Sequence, residues 1–258
     1  MASSPRSPVL ELERVRKRFS DGTPALDGID LEVRQGELVS VVGPSGCGKS
    51  TLLRIVAGLT MPSSGMVCLR TRRIGFVFQD PTLLPWCSLR SNLELLGELE
   101  GTPRSEHQRL AGEAIAVVGL GELAGHPPRA LSGGMRMRAS LARSLTLRPD
   151  LFLLDEPFGA LDELTRHRLT DELAQLLLER GFAALLVTQS VTEAVFLSSR
   201  VVVVLSAQPG RVVGAFPVPF PYPRAPRLRH SGAFDRLAGE VSACLRAVGQ
   251  CPAEVERG

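Results

Sequence analysis

An α/β fold with a mainly parallel sheet is predicted by three observations. First, short β-rich apolar runs recur along the chain: "ELVSVV" (37–42), "IGFVF" (74–78), "LFLLD" (151–155), "AALLVT" (183–188) and "VVVVL" (201–205). Second, helical patterns alternate with them at 49–58, 163–180 and 191–198, the arrangement of parallel strands joined by crossover helices. Third, the strand signal vanishes between Asp80 and Pro149, where three helical stretches follow one another.

Taken in order, the charged segments at 9–13 and 29–33 read as antiparallel edge strands, as do 66–69 and 211–216. The continuous aliphatic runs read as strands covered on both faces. Helix 163–180 places Leu169, Leu173, Leu176 and Leu177 on one face, and Gly181 stops it. Within 80–149, "SLRSNLELLGELE", "SEHQRLAGEAIAVVGL" and "MRMRASLARSLTL" are helical, so a helical subdomain is expected inside the α/β core. A short tail is expected over 1–8, one nucleotide-binding domain over 9–220, and a Pro-rich tail over 221–258 ending in a helix near 233–248.

The chain has 258 residues, 44% of them hydrophobic and 22% charged, with a net charge of +3, as in a soluble globular protein. That charge is too small to argue for nucleic acid. The basic stretch 224–230 reads as a solvated face. Five cysteines without C-x-x-C spacing fit a reducing compartment. The first residues have no apolar run of signal-peptide type, and the longest aliphatic run falls far short of the roughly 20 residues of a membrane helix. A cytoplasmic chain is expected, reaching a membrane only through a partner.

"GPSGCGKST" (43–51) follows a strand and opens a helix, the context that gives a P-loop its meaning. Gly43, Pro44, Ser45, Gly46, Cys47 and Gly48 would wrap their backbone around phosphate, with glycines admitting the close approach. Lys49 would reach the β- and γ-phosphates, and Ser50 and Thr51 complete the turn, Ser50 facing Mg²⁺. "LFLLDEP" ends a buried strand in two acids, costly unless they have partners. Asp155 suits the metal shell, and Glu156 suits a base positioned on the attacking water. "LSGGMRMR" sets Ser132, Gly133 and Gly134 before a second helix, an additional anion cradle. A single nucleotide has no use for two cradles on one chain, so this one is expected to serve ATP held by another copy.

With "GPSGCGKST", "LSGGM", "LLDEP" and "FGALD" in this order, and Gln79 after "IGFVF", the chain resembles the ATP-binding cassette family. The resemblance covers essentially its whole length. It implies a P-loop NTPase core with an antiparallel β edge, and a head-to-tail dimer that sandwiches two ATP molecules. It also implies that Phe19 stacks on adenine, Gln79 senses Mg²⁺ and water, and Asp162 lies at the dimer seam. Members usually carry histidine after the fourth apolar run. Here "TQS" (188–190) puts Gln189 there, with Glu193 and Ala194 in register. Glutamine keeps a donor for the γ-phosphate but cannot become cationic.

The apolar loop "FQDPTLLPW" (78–86) resembles the family's docking region for a membrane permease, with Trp86 as an aromatic anchor. "DEPFGALDELTR" and "VVVVLSAQPGRVV" are similar to the branch importing nitrate, sulfonate, taurine or pyrimidine precursors of thiamine. Met137, where glutamine is usual, is closest to the pyrimidine-precursor members. A separate solute-binding protein would select the solute, and no nucleic-acid partner is expected. Two alternatives stay open: a low-turnover regulatory subunit, and a soluble cassette acting on nucleic acid or the ribosome.

Overall fold

The computed structural model describes residues 8–159, 161–222 and 224–249. Most of the expected N-terminal tail, Ala160 of "FGALD", Pro223, and the end of the C-terminal tail with Cys251 lie outside the described residues. In chain order the elements are β1 (Pro8–Arg18), β2 (Pro24–Arg34), β3 (Leu38–Val42), α1 (Lys49–Val56), β4 (Ser64–Leu69), β5 (Ile74–Val77), α2 (Leu89–Leu99), α3 (Arg104–Val117), α4 (Gly133–Leu145), β6 (Leu151–Asp155), α5 (Glu163–Arg180), β7 (Ala183–Thr188), α6 (Val191–Leu197), β8 (Val201–Leu205), β9 (Val212–Pro217) and α7 (Gly232–Gly249). They fall into two compact units, one formed by the chain up to Arg70 together with that from Ala183, the other by Thr71–Phe182.

In the first unit β3 pairs in parallel with β7 on one side and β8 on the other, and β9 closes the β8 edge antiparallel. Every residue of β3 and β7 is buried, which is why both read as unbroken aliphatic runs. Of the four expected edge strands only β9 joins this set. The other three form a sheet of their own, in the order β2-β1-β4, all antiparallel. The charged run Arg16–Lys17–Arg18 continues β1 rather than ending it. The strand bulges at Arg14, whose φ is 47° and whose N–H donates to Asp30 Oδ1 at 2.8 Å.

The tail departs from the solvated face expected for 224–230. Arg224 is buried, and its guanidinium donates to the carbonyls of Val195 (2.9 Å), Phe196, Ser198 (2.7 Å) and Phe220 (3.0 Å). Val195 and Phe196 lie in the last turn of α6, where a helix leaves carbonyls without partners, so Arg224 acts as a long-range C-cap. Its ring neighbour Tyr222 lies 4.6 Å from the guanidinium and donates its hydroxyl to Leu197 O. Arg227 and His230 do remain exposed.

In the second unit β5 pairs in parallel with β6. Between them residues 80–149 hold α2, α3 and α4 with two short 3₁₀ turns and no strand among the described residues. Leu89, Leu93, Ala111, Ile115, Ala139 and Ala142 form the packed interior of the three helices. Asn92, fully buried, accepts from Leu84 N at 2.7 Å and donates to Leu84 O at 3.1 Å and Ser88 O at 2.9 Å. These bonds fix the loop ahead of α2 and leave Trp86 78% exposed on it.

Candidate functional site

Three neighbouring parallel strands of the first unit end at one edge, since Val42 registers with both Thr188 and Val204. The carboxyl edge of such a sheet is where α/β folds place ligands. Gly43 begins the P-loop at this edge, and Gln189 stands one residue beyond its neighbour's end.

The P-loop is shaped by its glycines. Gly46 has φ +79° and Gly48 φ +96°, both in the left-handed region. A Cβ on Gly48 would lie 2.6 Å from Ala25 O and 2.7 Å from Leu26 Cδ2, so the loop rests directly on the start of β2. Gly43 is equally confined, with Cys47 Sγ at 2.6 Å from its missing Cβ. Buried Lys49 opens α1 and donates Nζ to Gly43 O and Pro44 O, each at 2.9 Å. The first turn of α1 has no acid and Gly48 offers no side-chain cap, which suits a helix start meant for an anion. Ser45 and Gly46 are exposed, Ser50 and Thr51 half-buried. These features fit the phosphates of a nucleotide.

Gln189 is exposed between two residues whose side chains are engaged locally. Thr188 Oγ1 donates to Glu193 Oε2 at 2.8 Å and accepts from Ser190 N at 3.0 Å. Ser190 caps α6 by accepting from Glu193 N at 3.3 Å. The turn is built by its neighbours, and Gln189 is the side chain presented at the edge.

Phe19 follows the last β1–β2 pair, Arg18↔Pro24, in the hairpin turn. Its ring is 42% exposed, so core packing does not account for it, and Lys17 Nζ sits 5.5 Å from its centroid. Lys17 registers with Leu26, the residue against which Gly48 is packed. The first unit therefore brings Phe19 and the P-loop to the same hairpin.

In the second unit Asp155 is buried at the end of β6, and Glu156 follows at φ +45°. Left-handed backbone is costly for a residue with a Cβ, and such strain concentrates at functional positions. Gly159 N donates to Glu156 O at 3.1 Å, and a Cβ on Gly159 would approach Glu156 Oε2 to 3.8 Å. Val77 registers with Leu154, so exposed Gln79 and Glu156 occupy equivalent places beyond the paired strands. The buried carboxylate of Asp155 is a hard oxygen ligand of the kind that suits a divalent cation such as Mg²⁺.

Ser132 caps α4, accepting from Met135 N at 3.2 Å, and the helix begins at Gly133 with no acid in its first turn. Ser132 and Gly133 are exposed, and a Cβ on Gly133 would stand in open space, whereas one on Gly134 would lie 3.0 Å from Thr165 Cγ2. Asp162 caps α5 through Thr165 N at 3.0 Å; the backbone N–H and hydroxyl of Thr165 hold its carboxyl below the usual range. Arg166 donates to Leu161 O at 2.8 Å and Phe158 O at 3.4 Å, bracing the loop after Glu156. Met137 is buried against Val77, Leu154, Phe158 and Leu173, surroundings in which an apolar side chain is at home.

Two contributors escaped sequence reasoning. Gly210 approaches the P-loop so closely that a Cβ would lie 2.2 Å from Cys47 O. Its only signal is the turn dipeptide Pro209–Gly210 after a strand. The other is the Thr188–Glu193 bond, whose nearest signal is the capping-box spacing of Ser190 and Glu193, which marks the helix start but not the reach of Thr188.

The ABC transporter family matches residues 26–159, more than half of the chain. The bicarbonate transport ATP-binding protein CmpC of Synechococcus elongatus is 45% identical over 226 residues. That match covers 83% of this chain but 34% of CmpC, so the chain spans about a third of the length of the bicarbonate relatives it matches. The aliphatic sulfonates import ATP-binding protein SsuB 1 of Xanthomonas axonopodis pv. citri is 42% identical over 248 residues, covering 93% of this chain and 97% of that protein. Among solved structures, a dimeric ATP-binding cassette in a post-hydrolysis state with ADP and Pi aligns with TM-score 0.73 and 30% identity, covering 82% of this chain and 99% of that one. The chain belongs to the ABC transporter family.

Proposed function

We propose that this chain is the ATP-hydrolysing subunit of a membrane importer for a small polar solute, of the nitrate, sulfonate, taurine or pyrimidine-precursor type. One observation carries the reading: Glu156 follows buried Asp155 directly and sits in left-handed backbone, a conformation that costs a non-glycine residue and concentrates at functional positions. Such a group is suited to hold an attacking water as general base.

Lys49 and the backbone of residues 43–51 bind the phosphates, and Phe19 stacks on adenine. Ser50 of the first unit and, in the second, Gln79 and Asp155 are the residues that would serve as ligands for Mg²⁺, whose charge would offset that of the phosphates. Gln189 donates to the γ-phosphate. Ser132, Gly133 and Gly134 bind the nucleotide of a second copy in a head-to-tail homodimer, with Asp162 at the seam. Residues 9–220 are the nucleotide-binding domain and 80–149 its helical subdomain. Trp86 meets an integral-membrane permease, which places the protein peripherally on the inner face of the membrane, and a solute-binding protein supplies the cargo. No helix among the described residues is long and apolar enough to cross a membrane. SsuB 1, similar over nearly its whole length, is an import ATP-binding protein by its name, which favours this reading over a nucleic-acid or ribosomal role.

The test is Glu156→Gln. ATP binding should persist while phosphate release falls by about 10² or more, the scale expected for a positioned base. Unchanged turnover would sink the assignment. Gln189 also favours a second reading, a subunit of low turnover, because an amide cannot supply the positive charge of an imidazolium.

A further inference from the structure

We propose that Glu94 and Glu98 on α2, with His107 on α3, form a binding site for a divalent transition-metal ion of the zinc type. One ligand atom from each residue lies within 4.8 Å of the other two. Ligand atoms around tetrahedral zinc sit roughly 3.4 Å apart for bonds of about 2.1 Å. Closure therefore needs about an ångström of side-chain movement, which Glu98, 58% exposed, can supply.

Four observations point to a cation at this place. The His107 side chain is 7% exposed, and its Nε2 has no hydrogen bond, facing Glu98 Oε1 at 3.9 Å. The other ring nitrogen, Nδ1, lies 3.3 Å from Thr102 O, so the tautomer with Nδ1–H donating leaves the Nε2 lone pair turned towards the carboxylate. A backbone carbonyl orienting the distal nitrogen is the usual support of a metal-ligating histidine. Glu94 Oε1 is a buried atom without a hydrogen-bond partner, its nearest cation being the half-exposed Arg90 Nη1 at 3.8 Å.

The backbone is arranged to bring the ring in. Gly97 lies between the two glutamates, and a Cβ there would stand 2.4 Å from His107 Cβ. Glycine inside a helix costs about 1 kcal/mol relative to alanine, and here it admits the histidine to the face carrying both acids. The charge balance agrees. Helix α2 ends at Leu99, and its last turn holds Glu98 and no base, so a ligand carboxylate coincides with the negative end of the helix dipole. A bound dication offsets both. One imidazole and two carboxylates leave at least one coordination position for water, as suits zinc or manganese better than a soft ion. The ion would staple α2 to α3.

The experiment uses the full-length protein, chelator-treated, nucleotide-free and in phosphine reductant, titrated with Zn²⁺ by calorimetry and followed by thermal unfolding. One equivalent should bind and raise Tm, and excess chelator should reverse the shift. Glu98→Gln, a change at an exposed position that leaves the fold intact, should weaken binding about tenfold or more, as should His107→Gln. Co²⁺ should give weak d–d absorption without thiolate charge transfer, separating this site from binding at cysteine thiols. Equal Zn²⁺ affinity in Glu98→Gln, thiolate bands with Co²⁺, or no saturable binding in the submillimolar range would each overturn the proposal. In the last case the cluster is a histidine–carboxylate pair only.

Discussion

The Thr188 hydroxyl donates to the Glu193 carboxylate at 2.8 Å across the turn that presents Gln189. Both partners are buried, and the same hydroxyl accepts from Ser190 N, so one side chain ties the end of β7 to the first turn of α6. Thr188→Val keeps the shape and removes these bonds. A hydrogen bond to a charged group is worth about 1.5–3 kcal/mol, and the variant should lose about that much stability in urea unfolding.

The P-loop predicts a graded response to alanine. Gly46 and Gly48 both have positive φ, which costs a non-glycine residue about 1–2 kcal/mol. Only Gly48 also meets backbone, with Ala25 O at 2.6 Å. Gly48→Ala should therefore lower Tm more than Gly46→Ala and should abolish binding of a fluorescent ATP analogue. Equal Tm losses would mean that contact with β2 does not shape the loop.

Much of this was readable from sequence because local chemistry demanded it. A glycine-punctuated turn between a β-branched run and a helix has few other uses, and the acids Asp155 and Glu156 after "LFLL" are hard to explain without ligands. What sequence could not supply is pairing at a distance. Nothing near 9–18 says that β1 joins β2 and β4 in a separate sheet rather than edging the parallel one. Nothing near Arg224 says that it reaches back to cap α6, nor near Gly210 that Cys47 O lies against it. Those contacts depend on the closed tertiary structure, where a local pattern of charge or turn residues carries no address.

Tyr222, the one tyrosine of the chain, reports the tail clamp directly. Burial pushes its phenol up to about 12 from 10, with Arg224 opposing. Because the folded state holds the proton more tightly, this group stabilises fully below pH 10 and its contribution is lost as pH rises towards 12. Phenolate absorbance should titrate near 12 in the folded protein and near 10 in denaturant, while Arg224→Met, which removes the opposing cation, should push the folded value higher still. Ordinary titration of the folded parent would contradict the burial of this clamp.

Trp86 separates surface from interior. At 78% exposure, Trp86→Ala should change unfolding free energy by no more than about 0.5 kcal/mol. It should also weaken recovery of the chain with permease-containing membranes. A large loss of stability would show that the indole belongs to the core.

The most direct test concerns the residue at the edge between Thr188 and Ser190. Steady-state phosphate release by the full-length parent with Mg-ATP should be slow but measurable. Gln189→His should accelerate it by about tenfold, less than the roughly 10²–10³ that an entire preorganised donor is worth, because glutamine already supplies a donor. A Gln189→His variant that releases phosphate no faster than the parent would contradict the account, because the glutamine would then not be what limits this cassette.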